Sequence, residues 1–130
     1  MVVDTSSLLA IFLAEPERKG FLELITQAET RLISVANALE TGIVLEARRG
    51  EAAGREFDLF LHHANFDVVS VDSEQMEIAR LAWRKYGKGR HAAGLNFGDC
   101  FAYALAKVMD QPILFKGDDF KQTDLSPVLA

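Results

Sequence analysis

The chain lacks the features that mark several classes of protein. Its single cysteine, Cys100, excludes an internal disulfide and suits a reducing compartment, so we expect a cytoplasmic protein. No apolar run approaches the ~18 residues of a membrane span, and no basic segment precedes a long apolar one at the N-terminus. We therefore expect neither a membrane anchor nor a signal peptide. No repeat, linker or low-complexity tract interrupts the sequence.

The chain also has fewer basic than acidic residues. Fourteen Lys and Arg residues face nineteen Asp and Glu residues, which gives a net charge of −5. Since nucleic-acid-binding proteins are usually basic, any contact with nucleic acid must use a local patch. An excess of acid also fits a metal site or a basic partner protein. The 130 residues, 49% of them hydrophobic, predict one domain over 1–130 with a true core.

Short apolar segments alternate with helical patterns along the chain. Strands are predicted at 1–4, 31–34, 66–71 and 112–114, with a candidate edge strand at 124–128. Asn96 and Asp72 stand at helix-start positions, and Ser34 can cap a helix that carries Ala36, Leu39, Ile43, Val44 and Ala47 on one face. This alternation predicts an α/β fold in which helices flank a parallel sheet of four to five short strands.

Carboxylates stand at the junctions of these elements. Asp4 ends the first strand, Asp118 and Asp119 follow the strand at 112–114, and Asp99 opens the last long helix. Ligands of a parallel α/β sheet collect beyond the carboxyl ends of the strands, so Asp4 and the Asp118-Asp119 pair are expected on one rim. Glu40 lies in or beside the apolar stripe of its helix, where an acid without a partner is costly.

Each acid also has a purely structural interpretation. Asp4 can cap the following helix, and Asp99 can complete a capping box with Asn96. Glu40 can pair with Arg48 or Arg49 from the edge of the stripe. The combination favours a Mg²⁺ site, because this ion is held by a few carboxylates and leaves room for phosphate oxygens. Such an ion activates water and stabilises displacement at phosphorus.

Four segments taken together resemble a known family, the PIN domain, and more narrowly the VapC-type toxins of bacterial toxin–antitoxin pairs. They are the opening Met-Val-Val-Asp-Thr-Ser, the helix of Glu40, the segment 95–100 and the segment 114–120. The resemblance runs over essentially the whole chain in order. It implies a PIN-like sheet flanked by helices, an endoribonuclease dependent on Mg²⁺ or Mn²⁺, a homodimer, and inhibition by a VapB-type antitoxin.

The resemblance also assigns roles by position. Asp4 and Asp99 would be the main metal ligands, and Glu40 would complete the acidic triad. The fourth acid is Asp118 or Asp119, and we favour Asp119 because it directly precedes the aromatic Phe120. In the implied mechanism a metal-activated water, deprotonated with help from a carboxylate, hydrolyses an RNA phosphodiester. Thr5 and Ser6 match small polar residues that orient the first acid or contact phosphate.

A local basic stretch at 84–91 is the best candidate for RNA contact. Its Lys and Arg side chains can neutralise phosphates, and Trp83 or Tyr86 can stack on an unpaired base. Lys116, beside the fourth acid, is a second candidate. The basic residues of the stretch are Arg84, Lys85, Lys88 and Arg90. The alternative is a solvated helix end, where basic side chains favour the helix dipole.

Two further functions compete with the nuclease. One is another metal-dependent protein that handles phosphate, such as a receiver domain or a haloacid-dehalogenase-like phosphatase. The first needs a pair of acids after strand one, and the second needs an acid two residues beyond the first, where this chain has Ser6. The other is a catalytically silent PIN-like module that only holds a partner.

Overall fold

The computed structural model describes residues 1–128, so the last two residues of the expected 1–130 domain lie outside it. Four strands form one parallel sheet in the order β3-β2-β1-β4. They are β1 (Val2–Val3), β2 (Leu32–Ser34), β3 (Asp67–Val69) and β4 (Ile113–Leu114). All three pairings are parallel, as the alternation of strands and helices predicted. The segment 124–128, predicted as a candidate edge strand, does not form a strand. It contributes an isolated β-bridge between Ile113 and Pro127.

Six helices cover the sheet. Their bounds are α1 (Thr5–Phe12), α2 (Arg18–Gln27), α3 (Val35–Arg49), α4 (Glu51–His63), α5 (Ser73–Tyr86) and α6 (Phe97–Met109). A short 3₁₀ helix, Phe120–Gln122, follows the turn that carries Asp118 and Asp119. The α/β class with a parallel sheet between helices is therefore confirmed.

Alternation along the strands separates two hydrophobic cores. Val2 and Ile113 point into the core formed with α5 and α6, whereas Val3 and Leu114 point into the core formed with α1 to α4. Successive side chains of a strand face opposite sides of the sheet, so even two-residue strands contribute to both layers. This burial fixes β1 and the edge strand β4 beside it, whose carboxyl ends lead to candidate acids.

Side chains cap the helices at the positions that the sequence indicated. Ser34 accepts a hydrogen bond from the Ala36 backbone N–H, and Asp72 accepts one from the Gln75 N–H. Asn96 and Asp99 form a reciprocal capping box at the start of α6. These caps satisfy N–H groups that the first turn leaves without a partner. They also fix where Asp99 lies relative to the sheet.

Helix α3 turns a different face to the core than its apolar pattern predicted. Leu39 and Ile43 are 65% and 56% exposed, whereas Asn37 and Thr41 are fully buried together with Leu45. The polar pair tolerates burial because Thr41 Oγ1 donates to the Asn37 carbonyl at 2.8 Å and Asn37 Nδ2 donates to the Gly98 carbonyl at 3.0 Å. The prediction that this apolar stripe packs inward was wrong.

Within residues 1–128, none of the helices combines the length and apolar character that crossing a bilayer would need.

Candidate active site

The candidate site lies at the carboxyl edge of the sheet, where β1 and β4 end side by side. The Asp4 N–H donates to the Leu114 carbonyl at 2.9 Å, so the chain leaving β1 stays beside the end of β4. Helix α3 starts directly after β2 and helix α1 directly after Asp4. This arrangement brings Asp4, Glu40, Asp99 and Asp119 into one region from four separate parts of the chain.

Asp4 is the most buried of these acids, with 2% of its surface exposed. Its Oδ2 accepts hydrogen bonds from the Ser6 N–H at 3.0 Å and the Ser6 hydroxyl at 2.6 Å, which makes it the N-cap of α1. Its Oδ1 is buried without a hydrogen-bond partner. Burial raises the pKa of Asp4 to about 7; the Ser6 hydrogen bonds oppose this rise, and the charges of Asp99 and Glu40 add to it.

Asp99 occupies the first turn of α6. Its Oδ2 accepts from the Asn96 N–H at 3.0 Å, while its own N–H donates to the Asn96 side chain at 2.9 Å. Burial raises the pKa of Asp99 to about 6, against the Asn96 hydrogen bond, and the charges of Asp119 and Glu40 raise it further. The capping role and the place in the acidic cluster therefore coexist.

Glu40 is half-buried on α3 and is held by hydrogen bonds rather than by arginine. Its Oε1 accepts from the Thr5 hydroxyl at 2.6 Å and lies 3.4 Å from the Asn37 side-chain nitrogen. Among the ion pairs of the described residues, Glu40 has none with Arg48 or Arg49. Its negative charge is left uncompensated beside Asp4 and Asp99.

The two adjacent acids of the last turn have different surroundings. The charge of Asp119 acts on the carboxyl of Asp99, raising its pKa. Asp118 instead pairs with Lys121 at 3.2 Å, on an exposed surface. Asp119 thus lies with the acidic cluster, whereas Asp118 is engaged by Lys121.

The four carboxylates share a region without forming a finished chelate. Within the described residues, no three Asp, Glu, His or Cys side chains have the geometry to hold a metal ion. The donor set nevertheless fits a hard divalent cation, because it consists of carboxylate oxygens and includes the unpaired Oδ1 of Asp4.

Several side chains expected at RNA contact their own protein. Thr5 donates to Glu40, Ser6 donates to Asp4, and the Ser6 hydroxyl also accepts from the Lys116 N–H at 2.9 Å. The Lys116 ammonium bridges Glu15 and Glu17, the latter at 3.3 Å. These contacts give Thr5 and Ser6 a role in holding the acids.

The basic stretch, which covers the last turn of α5 and the loop that follows it, is open to solvent. Its four Lys and Arg residues are exposed, and none forms an ion pair with another residue of the range 1–128. The Arg90 guanidinium carbon lies 4.7 Å from the centre of the Trp83 ring, and the Trp83 side chain is about half exposed. Tyr86 is buried against Tyr103 and His91, so the expectation that it stacks on a base was wrong.

The sequence patterns did not predict two residues of this region, Asn37 and Gly98. The Asn37 side-chain nitrogen lies 3.4 Å from Glu40 Oε1 and donates to the Gly98 carbonyl, and the Gly98 backbone lies against the Glu40 carboxylate. The available signal was spacing: Asn37 stands three residues before Glu40 on the same helix face, and Gly98 directly precedes Asp99.

Comparison with known proteins agrees with this fold. Residues 1–125 match the PIN domain family. The "Ribonuclease VapC" of Mycolicibacterium smegmatis is 54% identical over 128 residues, covering 98% of this chain and 99% of that protein.

Solved structures give the same result for the fold. The crystal structure of Mycobacterium tuberculosis VapC20, described as a toxin that cleaves the sarcin-ricin loop, superimposes with a TM-score of 0.82 at 17% identity, covering 99% of this chain and 98% of that one. VapBC2 of Rickettsia felis, crystallised with a DNA fragment from its promoter, reaches 0.75 at 11% identity and covers 98% and 96% of the two chains. The chain belongs to the PIN-domain family, among its VapC ribonucleases.

This assignment removes the receiver domain and the haloacid-dehalogenase-like phosphatase as alternatives, because their folds are not that of the matched family. PIN-domain ribonucleases are generally metal-dependent hydrolases of RNA.

Proposed function

We propose that the protein is a Mg²⁺-dependent endoribonuclease, the toxin of a VapBC-type pair, acting as one nuclease domain over 1–130 in the cytoplasm. The observation that carries this proposal is the surroundings of Asp4. Its carboxylate is buried, keeps one oxygen without a hydrogen-bond partner, and feels the negative charges of Asp99 and Glu40. A cation is the partner that such a cluster lacks.

Asp4 and Asp99 are the proposed metal ligands, with Glu40 completing the set. Mg²⁺ fits their all-oxygen chemistry, and Mn²⁺ can replace it. A divalent ion there would lower the pKa of a water molecule and stabilise negative charge on phosphorus. We propose that the ion binds as protons leave Asp4 and Asp99, whose raised pKa values lie near neutrality.

The protein's own side chains accept the proton of the attacking water and hold the acids in place. Asp119 is exposed at the edge of the cluster and is the proposed acceptor for the proton of the attacking water. Ser6 and Thr5 hold Asp4 and Glu40 in place through hydroxyl hydrogen bonds. Because water attacks the phosphodiester, the 2′-hydroxyl is free to serve in recognition of RNA.

The exposed basic stretch is proposed to bind the RNA backbone. Arg84, Lys85, Lys88 and Arg90 provide unpaired positive charge in an otherwise acidic protein. Their contribution would be salt-dependent, because phosphate contacts release counterions. Lys116 would have to exchange Glu15 and Glu17 for phosphate to take part.

A VapB-type antitoxin is the proposed inhibitor, and the similarity in fold to VapBC2 of Rickettsia felis supports a partner of this kind. We propose that it places an Arg or Lys among the four acids, since a cation there competes with the metal. Calorimetric titration of Mn²⁺ tests this directly. Weaker binding to the toxin–antitoxin complex than to the free toxin supports the proposal, and equal affinity contradicts it.

A homodimer is proposed through the exposed apolar face of α3 and the start of α6. Leu39, Ile43 and Phe97 are each more than half exposed and lie with Phe101 around one groove of about 480 Å³. Contiguous exposed apolar surface of this kind marks interaction sites. A second copy is the occupant consistent with the family.

Cleavage of RNA by the purified protein tests the nuclease itself. Mg²⁺ or Mn²⁺ should support cleavage of structured RNA, and EDTA should stop it. Asp4→Asn and Asp99→Asn should each abolish cleavage while the circular dichroism spectrum is preserved. Asp58→Asn, at an exposed acid of α4, is the matched control and should cut like wild type.

The same experiment separates the enzyme from a silent binding module. Cleavage that survives in both Asp4→Asn and Asp99→Asn would reject the site. No cleavage by the wild-type protein, together with tight antitoxin binding, would favour the module that only holds a partner.

A further inference from the structure

The buried Asn37 amide connects the two helices that carry Glu40 and Asp99. Its Nδ2 donates to the Gly98 carbonyl at 3.0 Å and lies 3.4 Å from Glu40 Oε1. The side chain is 1% exposed, so water does not compete for these contacts. One amide therefore ties α3 to the first turn of α6, immediately before Asp99.

Gly98 supplies the space that this connection needs. A Cβ placed on Gly98 would lie 2.5 Å from Glu40 Oε2 and 2.8 Å from Oε1. The Glu40 carboxylate thus rests against the bare backbone of α6, at a distance that any other residue would prevent. With the Thr5 hydroxyl at 2.6 Å on Oε1, the carboxylate is confined from three elements.

The chemistry of these contacts suits a site that must keep its negative charge. Glu40 and Asp99 are like charges and repel each other when no cation is bound. A lysine or arginine could hold them together, but it would neutralise the charge that attracts a divalent ion. A neutral amide and a neutral hydroxyl restrain Glu40 without that loss.

We propose that Asn37 and Gly98 are positioning residues, which hold the Glu40 carboxylate at the first turn of α6 and so set its place relative to Asp99 for metal binding. This inference rests on the proposed function. It assigns to the pair a task that packing alone would not require, since Asn37 is buried and Gly98 carries no side chain.

Asn37→Leu is the informative variant, because leucine has a similar volume but cannot donate a hydrogen bond. We expect Mn²⁺ affinity and kcat to fall by about 10–100-fold, with the KM for RNA little changed. Thr41→Val is the matched control, since Thr41 lies one turn further along the same buried face and bonds only the Asn37 carbonyl. It should lose some thermal stability and keep wild-type Mn²⁺ affinity.

Gly98→Ala provides a second route that leaves Asn37 intact. The new methyl group must displace the Glu40 carboxylate, so we expect weaker Mn²⁺ binding and lower kcat. Gly42→Ala is its control, because a Cβ at Gly42 of α3 meets no atom within 4 Å. That substitution should leave both quantities unchanged and favour the helix.

Calorimetric Mn²⁺ titration distinguishes this inference from the proposed function. If the wild-type protein binds Mn²⁺ but cuts no RNA, the nuclease proposal fails, while the affinity of Asn37→Leu and Gly98→Ala still decides the positioning role. Affinities equal to those of Thr41→Val and Gly42→Ala would overturn it, as would absence of Mn²⁺ binding by the wild type. Should Asn37→Leu fail to fold, Gly98→Ala gives the answer alone.

Discussion

Burial of Asp4 makes the stability of the metal-free protein depend on pH. Its pKa rises from 3.8 to about 7 on folding, so between these values the folded state holds a proton that the unfolded state releases. Stability is therefore full below about pH 4 and declines as pH rises toward 7, by on the order of 4 kcal/mol from this group. Asp4→Asn should flatten this decline and be more stable than wild type at pH 8.

Urea unfolding in EDTA at several pH values measures this effect. Asp58→Asn is the control, since its exposed carboxylate should leave the wild-type pH dependence intact. If the free energy of unfolding depends on pH in the same way for wild type and Asp4→Asn, burial does not raise the pKa of the Asp4 carboxyl.

Asp119 and Asp118 should behave differently although they are neighbours. The Asp119 charge reaches Asp99, whereas Asp118 pairs with Lys121. We expect Asp119→Asn to lower kcat for RNA cleavage by about 10²-fold or more, and Asp118→Asn to lower it less than about threefold. Steady-state kinetics with Mg²⁺ compares the two, and the reverse order would reassign the fourth acid to Asp118.

At the level of residues, the sequence indicated Asp4, Asp99 and the Asp118-Asp119 pair because they follow a strand or open a helix, and Glu40 because it lies in or beside an apolar stripe. It did not distinguish Asp118 from Asp119, since the choice depends on how a short 3₁₀ turn directs two adjacent side chains. It also missed Asn37, because spacing from Glu40 was the only local signal and the hydrogen bond of Asn37 to Gly98 spans 61 residues.

Among the helices, removing the N-caps of α5 and α6 separates an effect on stability from an effect on RNA cleavage. Asn96→Ala and Asp72→Ala each remove the acceptor of one first-turn N–H, so each should cost about 1 kcal/mol of unfolding free energy. Because the Asn96 cap fixes the turn of Asp99, only Asn96→Ala should also reduce RNA cleavage. Urea unfolding and initial rates measure the two effects, and equal activity in both variants would contradict the link.

The exposed face of α3 predicts the oligomeric state. Ile43→Lys should shift the protein from dimer to monomer while its circular dichroism spectrum is preserved, because the Ile43 side chain is more than half exposed in its own chain. Leu59→Lys on α4 is matched, since both side chains are 56% exposed and only Ile43 lies in the groove with Phe97. Light scattering after size exclusion distinguishes them, and a wild-type monomer at micromolar concentration would contradict the dimer.

The helices were predictable as elements, and their orientation was not always so. Spacing of apolar residues located the stripe on α3, but it could not tell whether the stripe faces the sheet or another molecule. Burial of Asn37 in its place depends on a hydrogen bond to the Gly98 carbonyl of α6, a partner that only the folded chain provides, whereas Thr41 bonds the Asn37 carbonyl within α3. The capping residues, whose signal is local, were correctly placed.

For the whole molecule, alternation of short apolar strands with helices was sufficient for the parallel sheet, because parallel strands need helical crossovers. The strand order β3-β2-β1-β4 followed only from the structure. It matters for function, since placing β1 next to β4 brings Asp4 near the turn of Asp119. A chain with the same elements in another order would separate these acids.

Location of the metal in a crystal tests the central claim most directly. Crystals grown with Mn²⁺, measured at its absorption edge, should show an anomalous peak between the carboxylates of Asp4 and Asp99, with Glu40 in its coordination sphere directly or through water. Absence of that peak at saturating Mn²⁺, or a peak held by other residues, would contradict the account.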